Sequence, residues 1–305
     1  MPRLYVATVG DGLFRSDDLG SSWTKEPGLA PTARLYSLCA ASGELLVGGE
    51  GRIFRYGERA WTELALPAPD TQVWSLAAMD GVILAGTRPL GFFRSDDGGR
   101  RWESLSFPVT PGAPQPHTPR ITALLPSPWV AGEVWAGVEV GGVFASSDGG
   151  RSWSAANEDI PSLDVHGLAW SSGGILLAAT PRGVAMWRSA RWMEGVFEPA
   201  DRYCRALAAR PDNPGMLYCG FGDGPPGTRG EIALSTDGGR SWRASGMLSD
   251  TGGTIWSVAT AADAAGLVLA CSISGKVFVS LDGCASTRPV LTTGSETRAV
   301  ACLAE

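Results

Sequence analysis

The stretch that decides the fold is Ser146-Ser147-Asp148-Gly149-Gly150-Arg151-Ser152-Trp153, in which serine, aspartate, glycine and serine alternate with other residues before a final tryptophan. The same pattern recurs at residues 16–23 and again at residues 235–242. A fourth copy at 95–102 lacks only the hydroxyl residue before the tryptophan, and a fifth at 280–287 has lost the second glycine and the tryptophan. An internal repeat of this kind predicts an architecture built from several similar units.

Each copy lies in a longer unit that contains an apolar strand, a glycine-rich turn, a second strand, the repeated stretch and a polar loop. Two further units, at 45–61 and 175–192, keep this order with the repeated stretch shortened. The units end at Trp23, Trp61, Trp102, Trp153, Trp192 and Trp242, with Thr287 in the seventh place. A spacing of roughly 40 to 50 residues is typical of a four-stranded propeller blade.

The ends of the chain indicate how these units are joined. Each later unit is preceded by one more short strand, whereas the first unit starts directly at Leu4. A matching strand is found at the far end, at residues 298–303. If it completes the first blade, the ring closes and no sheet edge is left exposed. The prediction is an all-β fold, a single seven-bladed β-propeller over residues 1–305, although the length alone suggests two domains of about 150 residues.

The repeated pattern resembles the Asp-box, also called the BNR repeat, of sialidases, sortilin-type receptors, xyloglucanases and photosystem II assembly factors. The resemblance implies that these turns lie at the periphery of the ring, on the face away from the ligand site. A carboxylate in a tight turn can accept backbone N–H groups, and glycine supplies the positive φ. We therefore predict structural rather than catalytic roles for the box aspartates, which are Asp18, Asp97, Asp148, Asp237 and Asp282.

The candidate site follows from the innermost strand of each blade. Two positions, two residues apart and so on the same face of the strand, are expected to point into the central channel. The first position reads Arg34, Gln72, Arg120, Asp164, Tyr203, Thr254 and Arg298. The second reads Tyr36, Trp74, Thr122, His166, Arg205, Trp256 and Val300. Packing between blades alone would favour small or branched apolar side chains, so the arginines and aromatic rings need another explanation.

Two interpretations of these residues remain open. In one, the arginines pair with carboxylates across blades and plug the channel; turns on the same face add Asp11, Glu50, Arg88, Glu139, Arg182 and Asp223. In the other, the channel is a funnel that binds an anionic small molecule, sugar or peptide, because arginine binds carboxylates and phosphates in a bidentate way and aromatic rings stack. The predicted ligand-binding residues are Arg34, Tyr36, Trp74, Arg120, Arg205, Trp256 and Arg298.

An enzyme acting in the same funnel is the alternative function. The six-bladed ring, the early Arg-Ile-Pro motif and the Tyr/Glu pair of sialidases are not recognisable, and no nucleophile elbow, phosphate loop or dinucleotide fingerprint occurs. A glycosidase needs two carboxyl groups about 5 to 9.5 Å apart, and a lyase, isomerase or cyclase needs an acid or base. The candidate catalytic residues are His166, Glu139, Glu50 and Asp164.

Two long loops are predicted on the face that carries the funnel. Residues 104–119 are rich in proline and include His117, and residues 222–230 contain the run Gly-Asp-Gly-Pro-Pro-Gly. They are either surface elaborations or a partial lid over the channel.

Composition limits the partners of the chain. The net charge of −6 argues against nucleic-acid binding. With two histidines and six cysteines that form no CxxC pair, we expect reduced cysteines, no metal site and no cofactor. Apolar runs are too short for a membrane helix, which needs about 20 residues. We expect a cytoplasmic monomer, or a secreted protein if a leader has been removed.

Overall fold

The protein is described from a computed structural model, which places residues 1–41, 43–57, 60–108, 118–246 and 248–304. Within these ranges every regular element is a β-strand, and the strands form seven sheets. Each sheet is one blade of a β-propeller, so the predicted all-β, seven-bladed fold is confirmed. In the described ranges no helix has the length and apolar character needed to cross a membrane.

The strands are numbered in chain order, and within each blade they run from the channel outward. Blade 1 contains β29 (Thr297–Leu303), β1 (Arg3–Thr8), β2 (Leu13–Ser16) and β3 (Thr24–Lys25). Blade 2 contains β4 (Ser37–Ala41), β5 (Glu44–Gly48), β6 (Arg52–Gly57) and β7 (Ala60–Ala65). Blade 3 contains β8 (Gln72–Met79), β9 (Val82–Arg88), β10 (Phe92–Ser95) and β11 (Glu103–Leu105). Blade 4 contains β12 (Arg120–Pro126), β13 (Val134–Glu139), β14 (Gly142–Ser146) and β15 (Ser154–Ala155).

The remaining blades follow the same order. Blade 5 contains β16 (Gly167–Trp170), β17 (Leu176–Thr180), β18 (Gly183–Arg188) and β19 (Arg191–Glu194). Blade 6 contains β21 (Tyr203–Arg210), β22 (Asn213–Gly222), β23 (Gly230–Ser235) and β24 (Ser241–Ala244), with the short β20 (Val196–Phe197) parallel to β24 at its outer edge. Blade 7 contains β25 (Ile255–Thr260), β26 (Val268–Ser272), β27 (Lys276–Ser280) and β28 (Arg288–Thr292).

The ring closes as the sequence predicted. Strand β29 pairs antiparallel with β1, with Leu4 opposite Cys302 and Val6 opposite Val300. The last strand of the chain is therefore the innermost strand of blade 1. This pairing places the innermost strands of all seven blades around one channel.

The second strands of the blades are deeply buried. Every residue of β17 and of β26 is buried, and both strands are continuous apolar or small-residue runs without polar alternation. A strand that is covered on both faces needs no polar face, which explains the unbroken apolar pattern. Hydrophobic clusters form between neighbouring blades. The tryptophans that end the repeat units pack in these clusters as wedges between blades, and two of them, Trp192 and Trp242, are only 2% and 1% exposed.

The box aspartates bond the backbone of their own turns. In the third full copy, Oδ1 of Asp237 accepts the backbone N–H groups of Arg240 and Ser241, each at 3.0 Å, and Oδ2 accepts the Ser241 hydroxyl at 2.6 Å. The turn glycines Gly238 and Gly239 have φ of 78° and 92°, in the region that glycine enters at no steric cost. The carboxylate is thus part of the turn.

These bonds favour the ionised carboxyl group. In the box at residues 146–153, the hydroxyl and backbone N–H of Ser152 lower the pKa of Asp148 to about 2. The pKa is also about 2 for Asp18, Asp237 and Asp282. Since an unfolded aspartate titrates near 3.9, each turn contributes stability that is complete above about pH 4 and is lost as the pH falls through about 2.

We expect Asp237→Ala to lower the free energy of unfolding at pH 7 by about 1 kcal/mol, the usual effect of removing a side chain that caps backbone N–H groups. Between pH 4 and pH 2 the variant should lose less stability than the wild type, because one depressed carboxyl is absent. Urea unfolding over this pH range measures both effects. Exposed Asp263 supplies the control Asp263→Ala, and equal pH profiles for the wild type and Asp237→Ala would contradict the account.

Candidate functional site

The innermost strands share a local irregularity that shapes the channel. In five blades the pairing of the innermost strand with its neighbour skips one residue, which is a β-bulge. A bulge re-aims a side chain and interrupts the ladder. The skipped residues are Trp74, Thr122, Arg205, Trp256 and Arg298. In the other two blades Tyr36 and His166 directly precede β4 and β16, and all seven residues line one cavity of the channel.

The bulge corrects the sequence alignment of the last strand. Thr297 pairs with Thr8 and Ala299 with Ala7, so the skipped residue is Arg298. Arg298 therefore occupies the second inward position and Glu296 the first, whereas the sequence alignment placed Arg298 first and Val300 second. Val300 is 6% exposed and packs in the apolar cluster between blades 7 and 1. The polar Thr297 takes the place that apolar residues such as Val73 hold in other blades, and this hid the register.

Trp74 is the centre of one group of stacked side chains in the channel. Its indole stacks on the Tyr36 ring with centroids 5.4 Å apart. The guanidinium of Arg120 lies 4.3 Å from the indole centroid and that of Arg298 lies 5.3 Å away. Arginine prefers such faces because the ring quadrupole attracts a cation.

Trp256 is the centre of a second group of stacked side chains in the channel. The guanidinium of Arg205 lies 3.9 Å from its indole centroid, and Arg298 lies 4.9 Å away. Arg298 thus contacts both indoles. The stacked guanidinium groups and aromatic rings line the channel cavity.

Glu139 is the main carboxylate partner of these arginines. Arg120 binds it through both Nε, at 2.6 Å, and Nη2, and Nη1 of Arg205 lies 3.5 Å from Oε2. Burial acts to raise the pKa of Glu139, but the charges of Arg205 and Arg120 outweigh it and lower the pKa. Glu139 is therefore ionised at neutral pH. It is an anchor for two buried cations.

Two further ion pairs occupy the rim. Arg34 donates to Glu50 at 2.9 Å, and the Tyr36 hydroxyl donates to the same carboxylate oxygen at 2.8 Å. Arg298 pairs with Glu296. Each arginine predicted to bind a ligand thus has a carboxylate partner, but only the pair of Arg205 and Glu139 joins different blades, whereas the plugged-channel interpretation expected pairs across blades. Glu50 lies at the rim with Arg34 and is not brought together with Glu139, Asp164 and His166.

Arg88 is different. It ends the second strand of blade 3 and, among the residues that the structure describes, has no carboxylate partner. Its guanidinium lies 6.0 Å from the Trp74 centroid. It lines a cavity of about 300 Å³, which we call the mouth cavity. The other walls of the mouth cavity include Arg120, Glu139, Asp164, Tyr203, Pro225 and Trp256. The position of Arg88 on this face follows from the sequence, whereas its lack of a described carboxylate partner is visible only in the structure.

Several guanidinium groups lie close to this cavity. Burial lowers the pKa of Arg120 and of Arg298, and the charge of Arg205 lowers both further. The described charges here are Arg88, Arg120, Arg205 and Arg298 with Glu139, Asp164 and Glu296, and Asp70 lines a neighbouring cavity with Arg88. Four cations thus stand against four anions, but Arg88 is the cation that has no ion pair among the described residues, and a carboxylate or phosphate group can bind it.

One ring nitrogen of His166 is hydrogen-bonded and the other is not. Its Nδ1 lies 2.7 Å from the carbonyl oxygen of Cys204, so this nitrogen donates. Similar bonds between innermost strands run from hydroxyls to carbonyls, from Ser37 to Val73, Ser75 to Ile121, and Thr122 to Val165. The imidazole therefore continues a series of links between blades. Its buried Nε2 lies 3.2 Å from Oδ1 of Asp164, but not in hydrogen-bond geometry.

Asp164 and Tyr203 surround the imidazole. Burial acts to raise the pKa of Asp164, but His166 and the charges of Arg205 and Arg120 lower it overall. The Tyr203 ring lies 4.7 Å from the imidazole, and burial raises the pKa of its hydroxyl. Both Asp164 and Glu139 are thus held ionised, which does not suit a general acid.

Among the described residues, one group has oxygen and nitrogen atoms close enough together to hold a metal ion. Ligand atoms of Glu139, Asp164 and His166 lie within 4.8 Å of one another. Arg120 and Arg205 already contact Glu139, however, and a metal ion would add positive charge beside two guanidinium groups. The charge balance therefore favours an anion over a metal ion at this place.

The other turn residues have local roles. Asp11 pairs with Lys25, and Arg182 lies 3.6 Å from Glu194. Asp223 accepts the backbone N–H groups of Thr228 and Arg229 and so holds its own loop.

The two long loops both contribute to the walls of the mouth. From the loop at 222–230, Pro225 reaches the mouth cavity. Most of the loop at 104–119, including His117, lies outside the described residues, although Thr118 also lines the mouth.

We expect Glu139→Gln to lower the free energy of unfolding by about 2 to 4 kcal/mol, because it leaves two buried guanidinium groups without their counter-ion. The matched control is Glu50→Gln at the exposed rim pair, where the loss should stay below about 1 kcal/mol. Guanidinium chloride unfolding at neutral pH compares them. Equal losses would show that the Glu139 anchor is not needed for stability.

No protein-family model matches the chain, and no curated protein matches it. The Asp-box resemblance therefore remains one of sequence pattern and turn bonding. Among solved structures, the chain is similar to YCF48 from Cyanidioschyzon merolae, with 16% identity, 88% of this chain and 89% of that chain covered, and a TM-score of 0.63. Virginiamycin B lyase from Staphylococcus aureus gives 12% identity, 88% coverage of each chain and a TM-score of 0.66.

A third similar structure is YCF48 bound to D1 peptide, with 17% identity, 85% of this chain and 81% of that chain covered, and a TM-score of 0.58. At such identities these likenesses show the propeller fold alone.

Proposed function

We propose that the chain is a binding protein whose mouth cavity holds an anionic group of a peptide. The observation that carries the proposal is Arg88, a cation with no carboxylate partner among the described residues, at the wall of a cavity of about 300 Å³. Its neighbours Arg120 and Trp256 line the same cavity.

The geometry suits a carboxylate or phosphate group. Such a group can take two N–H bonds from Arg88, and it would relieve the mutual repulsion of the guanidinium groups beneath. The lower arginines are held in place by Glu139 and by the indoles, so they supply a fixed positive field and need not move to bind.

Two features favour a peptide over a small sugar acid. Pro225, from the loop at 222–230, forms part of the cavity wall and offers an apolar surface for an extended chain. One similar propeller, YCF48, has a bound D1 peptide, which supports this class of ligand. A free acidic sugar, bound by the same arginine chemistry, is the competing outcome.

We expect an acidic peptide to quench or shift the tryptophan fluorescence of the wild type, because Trp256 lines the mouth and Trp74 lies beneath it. Arg88→Ala should raise Kd at least about tenfold, which corresponds to about 1.4 kcal/mol. Higher salt should weaken binding as well. The measurement is a fluorescence titration with an acidic hexapeptide, its amidated counterpart, glucuronate and inorganic phosphate.

Arg182→Ala is the matched control, since Arg182 lies on a turn of the same face and is exposed. It should leave Kd within about twofold. Tighter binding of glucuronate than of the peptide would replace the peptide by a sugar acid. No response to any of the four probes, or an unchanged Kd in Arg88→Ala, would exclude the proposed site.

A second candidate function is acid–base catalysis by His166, favoured by its buried Nε2, which makes no hydrogen bond and lies 3.2 Å from Oδ1 of Asp164. A histidine whose Nδ1 is held by a backbone carbonyl exchanges its proton at Nε2. A screen of glycosides, esters and lyase substrates should then find a turnover that His166→Gln abolishes and Arg182→Ala leaves unchanged. If no substrate turns over, or if His166→Gln retains full activity, His166 is only a link between blades.

A further inference from the structure

One interface between blades is built differently from the other six. The described apolar residues form seven clusters, each between two neighbouring blades. Six of them contain the tryptophan that ends a unit, in the order Trp23, Trp61, Trp102, Trp153, Trp192 and Trp242. The cluster between blades 6 and 7 includes none, because Thr287 stands where the tryptophan is expected.

The interface between blades 3 and 4 shows what the missing ring does. Trp153 meets Phe92 edge-on at 5.2 Å and contacts Phe107 at 5.1 Å. Phe107 in turn packs on Phe144, two residues before the box serine Ser146. The wedge thus completes an aromatic stack that joins the outer parts of two blades.

Blade 7 has the phenylalanine of this aromatic stack but lacks the tryptophan. Phe278, two residues before the box serine Ser280, corresponds to Phe144 and is 4% exposed. The box turn itself is intact, because Asp282 accepts the backbone N–H and the hydroxyl of Ser286 at 2.8 and 2.6 Å. The turn is therefore kept although Cys284, with φ of 68°, replaces its second glycine, and the wedge position has lost the tryptophan ring.

A groove lies where the ring is missing. Its volume is about 310 Å³, and Phe278, Thr287 and Pro289 form its wall on blade 7. Ser249 lies on the segment that leads in from blade 6. At the rim, Lys276 pairs with Asp250 at 2.7 Å. This volume is at the lower end of the range for small-molecule sites.

We propose that this groove binds a free planar aromatic molecule of indole size. The six sister interfaces show that an indole is the shape which this position of the fold accepts, and in blade 7 a groove with Phe278 in its wall lies there instead. The groove is small, and the ion pair of Lys276 and Asp250 borders it, which suits a compact ring better than a continuing chain. The site lies on the outer strands of blade 7 and is independent of the proposed function at the mouth.

The test uses 5-fluoroindole as the probe and follows its fluorine NMR signal as the full chain is added. A ring of this size should bind with Kd of about 1 mM or tighter. Thr287→Trp fills the groove from within and should abolish binding, and it should raise Tm by at least about 2 °C by restoring the wedge. Pro289→Asp, which puts a charge on the groove wall at an exposed position, should weaken binding at least about fivefold and serves if the first variant does not fold.

Thr62→Trp is the matched control, because Thr62 is exposed on the outermost strand of blade 2. It should bind 5-fluoroindole as the wild type does. No saturable binding to the wild type, or unchanged binding in Thr287→Trp, would overturn the proposal. Binding of N-acetyl-5-fluorotryptophanamide without binding of 5-fluoroindole would overturn it too, since the occupant would then be a tryptophan side chain of a peptide.

Discussion

The pairing of the last strand with the first is the constraint on which the rest of the structure depends. Strands β29 and β1 are held together by backbone hydrogen bonds along their length. Without this pairing blade 1 would lack its innermost strand and the ring would have two open edges. Closure brings side chains from seven strands, each about 40 to 50 residues apart in sequence, to one channel.

The bulges decide what enters that channel. A regular strand would present alternate residues to the channel, whereas the skipped residue in each bulged innermost strand is re-aimed. Trp74, Trp256, Arg205 and Arg298 all occupy such positions. Their stacking is therefore a consequence of backbone irregularity repeated around the ring. The same irregularity places the residue before the bulge where its carbonyl can link to the neighbouring blade.

Ion pairing distinguishes Arg88 from the other arginines around the channel. Glu139 pairs with both Arg120 and Arg205, and the carboxylates of Glu50 and Glu296 pair with Arg34 and Arg298. The arginines around the channel are paired with carboxylates or stacked on aromatic rings, whereas Arg88 has no carboxylate partner among the described residues. The lowered pKa of Glu139 and Asp164 matches a positive surrounding and argues against a glycosidase acid at this place.

The sequence by itself determined the blade count, the turn chemistry and the closing strand, because these depend on local residue types such as the aspartate, glycine and tryptophan of each box, repeated at a regular spacing. It also identified the positions that face the channel in six blades. It could not find the register of β29, since Thr297 hides the apolar marker present in the other blades. Only the tertiary structure decided that Glu139 binds Arg120 and Arg205, that Arg88 has no described counter-ion, and that Thr287 leaves a groove, because these depend on distances between residues far apart in the chain.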